Sequence, residues 1–110
     1  IYCFSEKIRK ARLSGIHDIL IDPGFGFGKN INHNFNLLKN LSLLDSLKCP
    51  IAVGVSRKSM ICKTLDCKPE QALNGTSVLN TLSLDRGAKI LRVHDVKEAK
   101  ECISLWTKLQ

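Results

Sequence analysis

Three short polar segments hold most of the residues in this sequence that could do chemistry. They read Asp22-Pro-Gly-Phe-Gly-Phe-Gly-Lys-Asn30, Gly54-Val-Ser-Arg-Lys-Ser59 and Arg92-Val-His-Asp95, and each follows a short apolar run. In parallel sheets and barrels, the segments after the strands converge at one edge, where active sites are built. An acid, an imidazole and several cations at that edge predict a polar binding site; the excess of basic residues fits a phosphorylated small-molecule substrate or simply a lysine-rich coding bias.

The first segment is rich in glycine, but its spacing is not that of a nucleotide loop. Gly24, Gly26 and Gly28 give G-x-G-x-G, which matches neither the dinucleotide pattern G-x-G-x-x-G nor the phosphate loop G-x-x-x-x-G-K-[ST]. A simple glycine-rich turn is the structural alternative. The acid Asp22, two aromatic residues and Lys29 in the same segment favour contact with a ligand.

The other two segments also allow a structural interpretation. Residues 56–59 could be a polar helix start with solvated cations. Arg92 and His94 alternate along a predicted strand, so both side chains point to one face while Val93 points to the other. Cationic groups on an inward face need an anion or a carboxylate to offset their desolvation, and an ion pair of Arg92 with Asp95 or Glu98 is the alternative to a bound anion.

The elements that position these segments alternate between helix and strand. Leucines at three- and four-residue steps predict a helix over 33–47, and Gly15 is placed to close a first helix in the left-handed conformation. The predicted helices are 5–13, 33–47, 59–65 (short), 75–86 and 96–109, with a turn at 69–70, and the predicted strands are 18–22, 50–55 and 89–93. Such connections imply parallel strands, in a doubly wound sheet or in part of a barrel.

Composition restricts the function classes. The chain has 110 residues, of which 44% are hydrophobic, and a net charge of +7, which is ordinary for at most one globular domain. Its lysines are scattered and its aromatic residues few, so we expect no nucleic-acid partner. No apolar run could cross a bilayer.

Five cysteines without a C-x-x-C pair or zinc-ligand spacing predict reduced thiols in a cytoplasm. Because the chain starts at Ile1 and its one methionine is Met60, we expect a piece of a longer protein.

Together, the motifs are more specific than each is alone. D-P-G-F-G-F-G-K, S-R-K-S and R-V-H-D-V, in this order and at these separations, resemble the last three strand–loop segments of dihydropteroate synthase. The stretch from Asn74 to Ala88 is similar to the helix before the last strand of that family, although Asn80, Thr81 and Ser83 replace smaller, more apolar residues. The resemblance implies that residues 1–110 form the C-terminal three-eighths of a (β/α)8 barrel, strands 6 to 8, as a partial pterin-binding domain without its N-terminal strands.

The resemblance also implies an activity and a set of site residues. Enzymes of this family condense 6-hydroxymethyl-7,8-dihydropterin diphosphate with p-aminobenzoate in folate biosynthesis. Asp22 would accept hydrogen bonds from the pterin N–H groups, and Lys58 would face its ring nitrogen and carbonyl. Arg92 and His94 would hold the diphosphate, with the backbone N–H of Val93 between them.

For the second substrate, the resemblance implies that Phe27 packs on the aminobenzoate ring and Ser56 reaches its carboxylate, with Arg57 close by and Lys29 as a less certain contributor. Mg²⁺ is expected in the complete enzyme, but its protein ligand has no counterpart here, so no metal ligand can be named. The resemblance further implies a cytoplasmic transferase that forms a homodimer through its late helices. The chain alone is expected to be inactive.

Two other interpretations stay open. A pterin-binding methyltransferase barrel would share the fold and the acid, but paired Arg92 and His94 would then lack a leaving diphosphate to bind. A non-catalytic remnant of a synthase, or a structural piece that is completed by a second chain, would keep the same motifs. The coding region upstream of Ile1 would separate these cases, since an open frame for five further strands favours a working enzyme and a stop codon favours a remnant.

Overall fold

The computed structural model describes residues 2–26 and 30–110, and side chains from Phe4 onward within them. Helices and strands alternate along the chain. The elements are α1 (Tyr2–Leu13), α2 (Ile31–Lys39), a first 3-10 helix (Leu41–Leu47), β1 (Ile51–Val53), α3 (Ser59–Leu65), a second 3-10 helix (Pro69–Gln71), α4 (Leu73–Asp85), β2 (Ala88–Leu91) and α5 (Val96–Lys108).

The sheet is parallel, with β1 at its centre. β1 and β2 pair in the register Ile51 with Ala88 and Val53 with Leu91. On the other side of β1, Ile21 forms one parallel bridge, in which its N–H donates to the Pro50 carbonyl (2.9 Å) and its own carbonyl accepts from Ala52 (2.7 Å). The parallel order predicted from the sequence is therefore present.

The first predicted strand, 18–22, is shorter than expected. Only the bridge at Ile21 remains of it, because among the described residues this segment has a pairing neighbour on the β1 side alone. The third strand also ends earlier than predicted, at Leu91 instead of Val93. Arg92 and His94 thus lie just beyond the strand, although the Arg92 N–H still donates to the Val53 carbonyl at 2.9 Å.

The single helix predicted over 33–47 is wrong, since α2 ends at Lys39 and a 3-10 helix follows. Asn40 marks the break: its backbone N–H and its side-chain amide both donate to the Asn36 carbonyl. Side chains of this kind compete with the helical hydrogen-bond pattern. The apolar stripe nevertheless continues across the break, because Leu38, Leu41 and Leu44 are all buried.

The remaining helix predictions are confirmed within a few residues at their ends. α3 and α5 begin where predicted, at Ser59 and Val96, and α1 begins earlier, at Tyr2. Gly15 follows α1 with φ 88°, the left-handed conformation expected of it.

The core lies between the sheet and the helices. Ile21, both strands and the helices contribute to it, and the largest buried apolar side chains are Ile21, Phe25, Leu41, Ile51, Val53, Val55 and Met60. β1 is buried along its whole length, whereas Ile90 of β2 is 44% exposed and Leu20 is 52% exposed. The central strand is thus shielded on both sides, and its flanks are not.

Candidate active site

The three polar segments meet at the carboxyl end of the sheet. A cleft of about 340 Å³ lies there, lined by residues of the second and third segments: Gly54, Ser56, Lys58, Arg92, Val93 and His94. Asp22 of the first segment lies at the edge of this cleft, because its Oδ2 is 2.7 Å from the Arg92 Nη2. The structure therefore gathers the acid, the lysine, the arginine and the histidine singled out in the sequence.

Asp22 has both of its carboxylate oxygens engaged. Oδ1 accepts the Gly24 N–H at 2.9 Å, and Oδ2 forms the ion pair with Arg92. The alternative partners considered for Arg92, Asp95 and Glu98, are not the ones it takes, because its side chain turns toward the first segment. Since the Asp22 and Arg92 side chains are 34% and 56% exposed, solvent screens the pair and its contribution to stability is small.

Lys58 lies against the same acid and arginine. Its Nζ donates to the Phe25 carbonyl at 2.8 Å. The pKa of Lys58 is lowered, first by partial burial and then by the positive charge of Arg92, while Asp22 acts in the opposite direction. A cationic group that is held near a second cation and partly out of water is well placed to attract an electron-rich ligand.

Ser56 and His94 form a hydrogen-bonded pair. The Ser56 Oγ lies 2.8 Å from the His94 Nδ1 and also accepts the His94 backbone N–H at 3.3 Å. Ser56 is only 5% exposed, whereas His94 is exposed. The hydroxyl expected to reach aminobenzoate is thus already occupied by the histidine, which is left with its Nε2 for other partners.

Arg57 is not among the residues that line the cleft, and its expected closeness to a substrate stays a prediction. Its guanidinium forms a two-pronged ion pair with Asp95 (both contacts 3.0 Å) and also donates to the Pro69 carbonyl. The pKa of Asp95 is lowered and that of Arg57 is raised, chiefly by this hydrogen bond. Arg57 has φ 54°, and its N–H donates to the buried Thr76 hydroxyl at 3.0 Å. These contacts tie the second polar segment to the third and to α4.

The glycine-rich segment is anchored by a residue that the sequence analysis missed. Asn34 of α2 is buried, and its Oδ1 accepts the Gly26 N–H at 3.0 Å. The sequence does contain a signal for Asn34: it is an amide residue at an apolar position of the helix, four residues before Leu38. Phe27, Gly28 and Lys29 lie outside the described residues, so the roles expected of Phe27 and Lys29 stay predictions.

Within the described part of the chain, no three His, Cys, Asp or Glu side chains come together as a metal site would require. Over the same residues, no helix has the length and apolar character needed to cross a membrane.

Comparison with known proteins identifies the family. The family model described as "Pterin binding enzyme" matches residues 1–94. The chain belongs to the pterin-binding enzymes. Its curated relatives among them include the dihydropteroate synthase of Escherichia coli strain K12, 43% identical over 102 residues, and that of Haemophilus influenzae, 39% identical over 104 residues. The matches cover 91% and 94% of this chain but 36% of each relative, so the chain spans about a third of their length.

Solved structures of pterin-binding enzymes have the same fold over this region. A dihydropteroate synthetase crystallised with a product aligns with a TM-score of 0.94 at 40% identity, over 98% of this chain and 42% of its own. The Xanthomonas albilineans dihydropteroate synthase in complex with 7,8-dihydropteroate gives 0.94 at 38% identity, over 99% and 43%. The predicted fold class is confirmed: the chain is an α/β fragment, and its structural neighbours are (β/α)8 barrels.

Proposed function

We propose that this chain supplies one side of the catalytic pocket of a dihydropteroate synthase, which joins a dihydropterin diphosphate to p-aminobenzoate and releases diphosphate. One observation carries the proposal: Lys58, Arg92 and His94 line one cleft, and Asp22 contacts Arg92 at its edge. An acid beside three nitrogen donors suits a ligand with N–H groups at one end and an anion at the other.

At the anionic end, Arg92 and His94 would bind the diphosphate. A guanidinium offers paired N–H donors to phosphate oxygens, and the His94 Nε2 adds a further donor when Nδ1 accepts the Ser56 hydroxyl proton. Negative charge grows on the bridging oxygen as the C–O bond to the pterin methylene breaks. Donors that are already in place lower the barrier to that step.

At the pterin end, Asp22 would accept hydrogen bonds from the N–H groups of the heterocycle, and Lys58 would face its ring nitrogen and carbonyl. In the structure, Asp22 and Arg92 form an ion pair with each other (2.7 Å). Ligand binding would break this ion pair, because the pterin would bind to the Asp22 carboxylate and the diphosphate to the Arg92 guanidinium. The charge of Asp22 would also oppose the positive charge that develops on the methylene carbon.

The incoming p-aminobenzoate nitrogen would attack that methylene with its lone pair, the C–O electron pair would leave with the diphosphate, and the nitrogen would then lose a proton. Phe27 remains our expected contact for the aromatic ring. Ser56 gains no support as a ligand of the carboxylate, because it is 5% exposed and bonded to His94.

For the complete enzyme we retain Mg²⁺, a cytoplasmic location and a homodimer as parts of the proposal. The described residues offer no metal ligand set, so no step is assigned to the ion. A dimer through the late helices is supported by apolar side chains of α5 that stay exposed, Ile103 (41%) and Leu105 (72%). Light scattering that finds a monodisperse monomer of the natural polypeptide would rule the dimer out.

A chimera tests the proposed activity directly. The matched 102-residue segment of the Escherichia coli enzyme is replaced by the corresponding residues of this chain, and formation of dihydropteroate from both substrates with Mg²⁺ is measured. We expect activity well above background, and a loss of about 100-fold or more for Arg92→Ala. The exposed Lys97→Ala serves as the control. A chimera that folds, as judged by circular dichroism, but makes no product would support the non-catalytic remnant instead.

A further inference from the structure

The chain that continues β1 and the chain that continues β2 run side by side beyond the sheet. Val53 is paired with Leu91, and the Arg92 N–H donates to the Val53 carbonyl at 2.9 Å. Past this point Gly54 meets Arg92, and Ser56 meets His94. Two residues of the segment after β1, Gly54 and Ser56, therefore face two residues of the segment after β2, Arg92 and His94.

Gly54 has no side chain, and the Arg92 guanidinium fills the space beside its backbone. A Cβ atom at this position would lie 2.7 Å from the Arg92 Nη2 and 3.1 Å from its Cζ. Gly54 is not among the glycines with positive φ, so its backbone conformation suits any residue. Space is the reason for a glycine here, because the Arg92 guanidinium, which also contacts Asp22, packs against the Gly54 backbone just after β1.

Ser56 contacts His94 through its hydroxyl. One oxygen serves the ring Nδ1 (2.8 Å) and the backbone N–H (3.3 Å), which restricts both the position of the histidine and the rotation of its ring. When Nδ1 accepts the Ser56 proton, the neutral imidazole carries its own proton on Nε2. The ring is then a donor toward the cleft.

We propose that Gly54 and Ser56 are positioning residues for the anion-binding pair: Gly54 gives the Arg92 guanidinium its place, and Ser56 fixes the ring orientation and tautomer of His94. The inference rests on the proposed function for what Arg92 and His94 bind. It assigns Ser56 a role through His94 in place of a contact with aminobenzoate.

The test uses inorganic pyrophosphate as the probe and the natural polypeptide that contains this chain. Calorimetry should show about tenfold weaker binding for Gly54→Ala and for Ser56→Ala, the scale expected when a charge-assisted hydrogen bond is misplaced. The exposed Ser104→Ala is the matched control and should bind as wild type does. In Gly54→Ala the clash falls on the end of a flexible arginine side chain, so the fold should be spared.

Double variants separate positioning from a general structural effect. Gly54→Ala should cause no further loss in an Arg92→Ala background, and Ser56→Ala none in a His94→Ala background, because each acts through its partner. Losses that simply add in both backgrounds would overturn the proposal. If Ser56→Ala fails to fold, Ser56→Cys keeps the volume with a weaker hydrogen-bonding group, and we expect it to bind with intermediate affinity.

A ligand-free measurement keeps this inference distinct from the proposed function. The ¹⁵N resonances of the His94 ring should shift in Ser56→Ala, and the Arg92 Nε resonance should shift in Gly54→Ala, with neither changed in Ser104→Ala. If these shifts occur but wild type does not bind pyrophosphate, the proposed function fails and the positioning stands. If wild type binds pyrophosphate and both variants match it in affinity and resonances, the positioning fails and the proposed function stands.

Discussion

At the scale of single residues, the site is a set of charges that influence one another. Lys58 donates to the Phe25 carbonyl, faces Asp22 and is close enough to Arg92 for that charge to lower its pKa. Arg57 and Asp95 are sequence neighbours of Lys58 and His94, and each stabilises the charged form of the other. The charged form of Lys58, in contrast, is disfavoured. The lowered pKa values of Lys58 and Asp95 both predict that stability rises with pH, in the alkaline range for Lys58 and in acid for Asp95.

The lowered pKa of Lys58 predicts that stability rises with pH. Between the lowered folded-state pKa and the ordinary value of 10.5, the unfolded chain binds more protons than the folded one, so raising the pH favours folding. Urea unfolding of wild type and Lys58→Met from pH 7 to 10.5 should show wild type gaining stability relative to the variant. The exposed Lys63→Met should show no such trend, and a flat difference for Lys58→Met would contradict the prediction.

The ion pair between Arg57 and Asp95 predicts a loss of stability in acid. The two side chains are 22% and 23% exposed, and the pKa of Asp95 lies below its ordinary value of 3.8 because Arg57 bonds to its charged form. The stabilisation is thus fully present above pH 3.8 and disappears as the pH falls through the lowered pKa. Unfolding of Asp95→Asn should show a deficit at pH 6 that closes in acid, whereas the exposed Asp18→Asn should show none. A deficit that persists in acid would mean that packing, not charge, is lost.

At the scale of elements, helices hold the functional segments from outside the sheet. α2 anchors the glycine-rich segment through Asn34, and α4 holds the second segment through the Thr76 hydroxyl. α3 and α4 in turn pack closely, because Gly75 of α4 leaves room for Ile61 and Leu65 of α3. The geometry of the site thus depends on contacts made by helices that do not line the cleft.

Replacing the Asn34 anchor should loosen the glycine-rich segment without unfolding the protein. Asn34→Leu removes the acceptor of the Gly26 N–H, a hydrogen bond worth about 1 kcal/mol. Hydrogen exchange at the Gly26 amide should accelerate by roughly fivefold on that basis. The exposed Asn36→Leu on the same helix is the matched control, and equal protection of Gly26 in both variants would show that Asn34 is not the anchor.

Filling the space at Gly75 should push α3 and α4 apart. In Gly75→Ala the new Cβ would lie 2.6 Å from the Ile61 Cγ2 and 2.9 Å from the Leu65 Cδ1. Overpacking of this kind costs about 1–3 kcal/mol, against a gain in helix propensity of at most about 1 kcal/mol. Urea unfolding should show net destabilisation, while Asn74→Ala, at an exposed neighbouring position, should be neutral or better. A stabilised Gly75→Ala would mean that the helices can shift without cost.

At the scale of the whole molecule, the sheet has flanks that other barrel strands would cover. Leu20 and Ile90 lie on opposite sides of β1 and are 52% and 44% exposed. The chain spans 36% of the Escherichia coli relative, so most of the length of that relative has no counterpart among these residues. Exposed apolar residues beside unpaired strand edges favour association with other chains.

We therefore expect the 110 residues expressed alone to be poorly ordered and inactive. They should bind a hydrophobic dye such as ANS, unfold with low cooperativity and form no dihydropteroate from the two substrates and Mg²⁺. The chimera with the Escherichia coli enzyme, in which the flanks are covered, should unfold cooperatively and bind little dye. Product formation by the isolated chain would show that the other strands are dispensable.

The sequence by itself determined the parallel alternation of helices and strands, because apolar periodicity and short connections allow few other arrangements. It also located the residues that gather at the cleft, since segments after parallel strands must share an edge. The side-chain partners, in contrast, are set by the tertiary structure: Arg92 pairs with Asp22 across Gly54, Arg57 pairs with Asp95, and Ser56 bonds to His94. These contacts join residues far apart in the chain, so their choice depends on register and side-chain reach, which local patterns do not encode. The end of α2 before Asn40 was not predicted, because the apolar stripe continues past it.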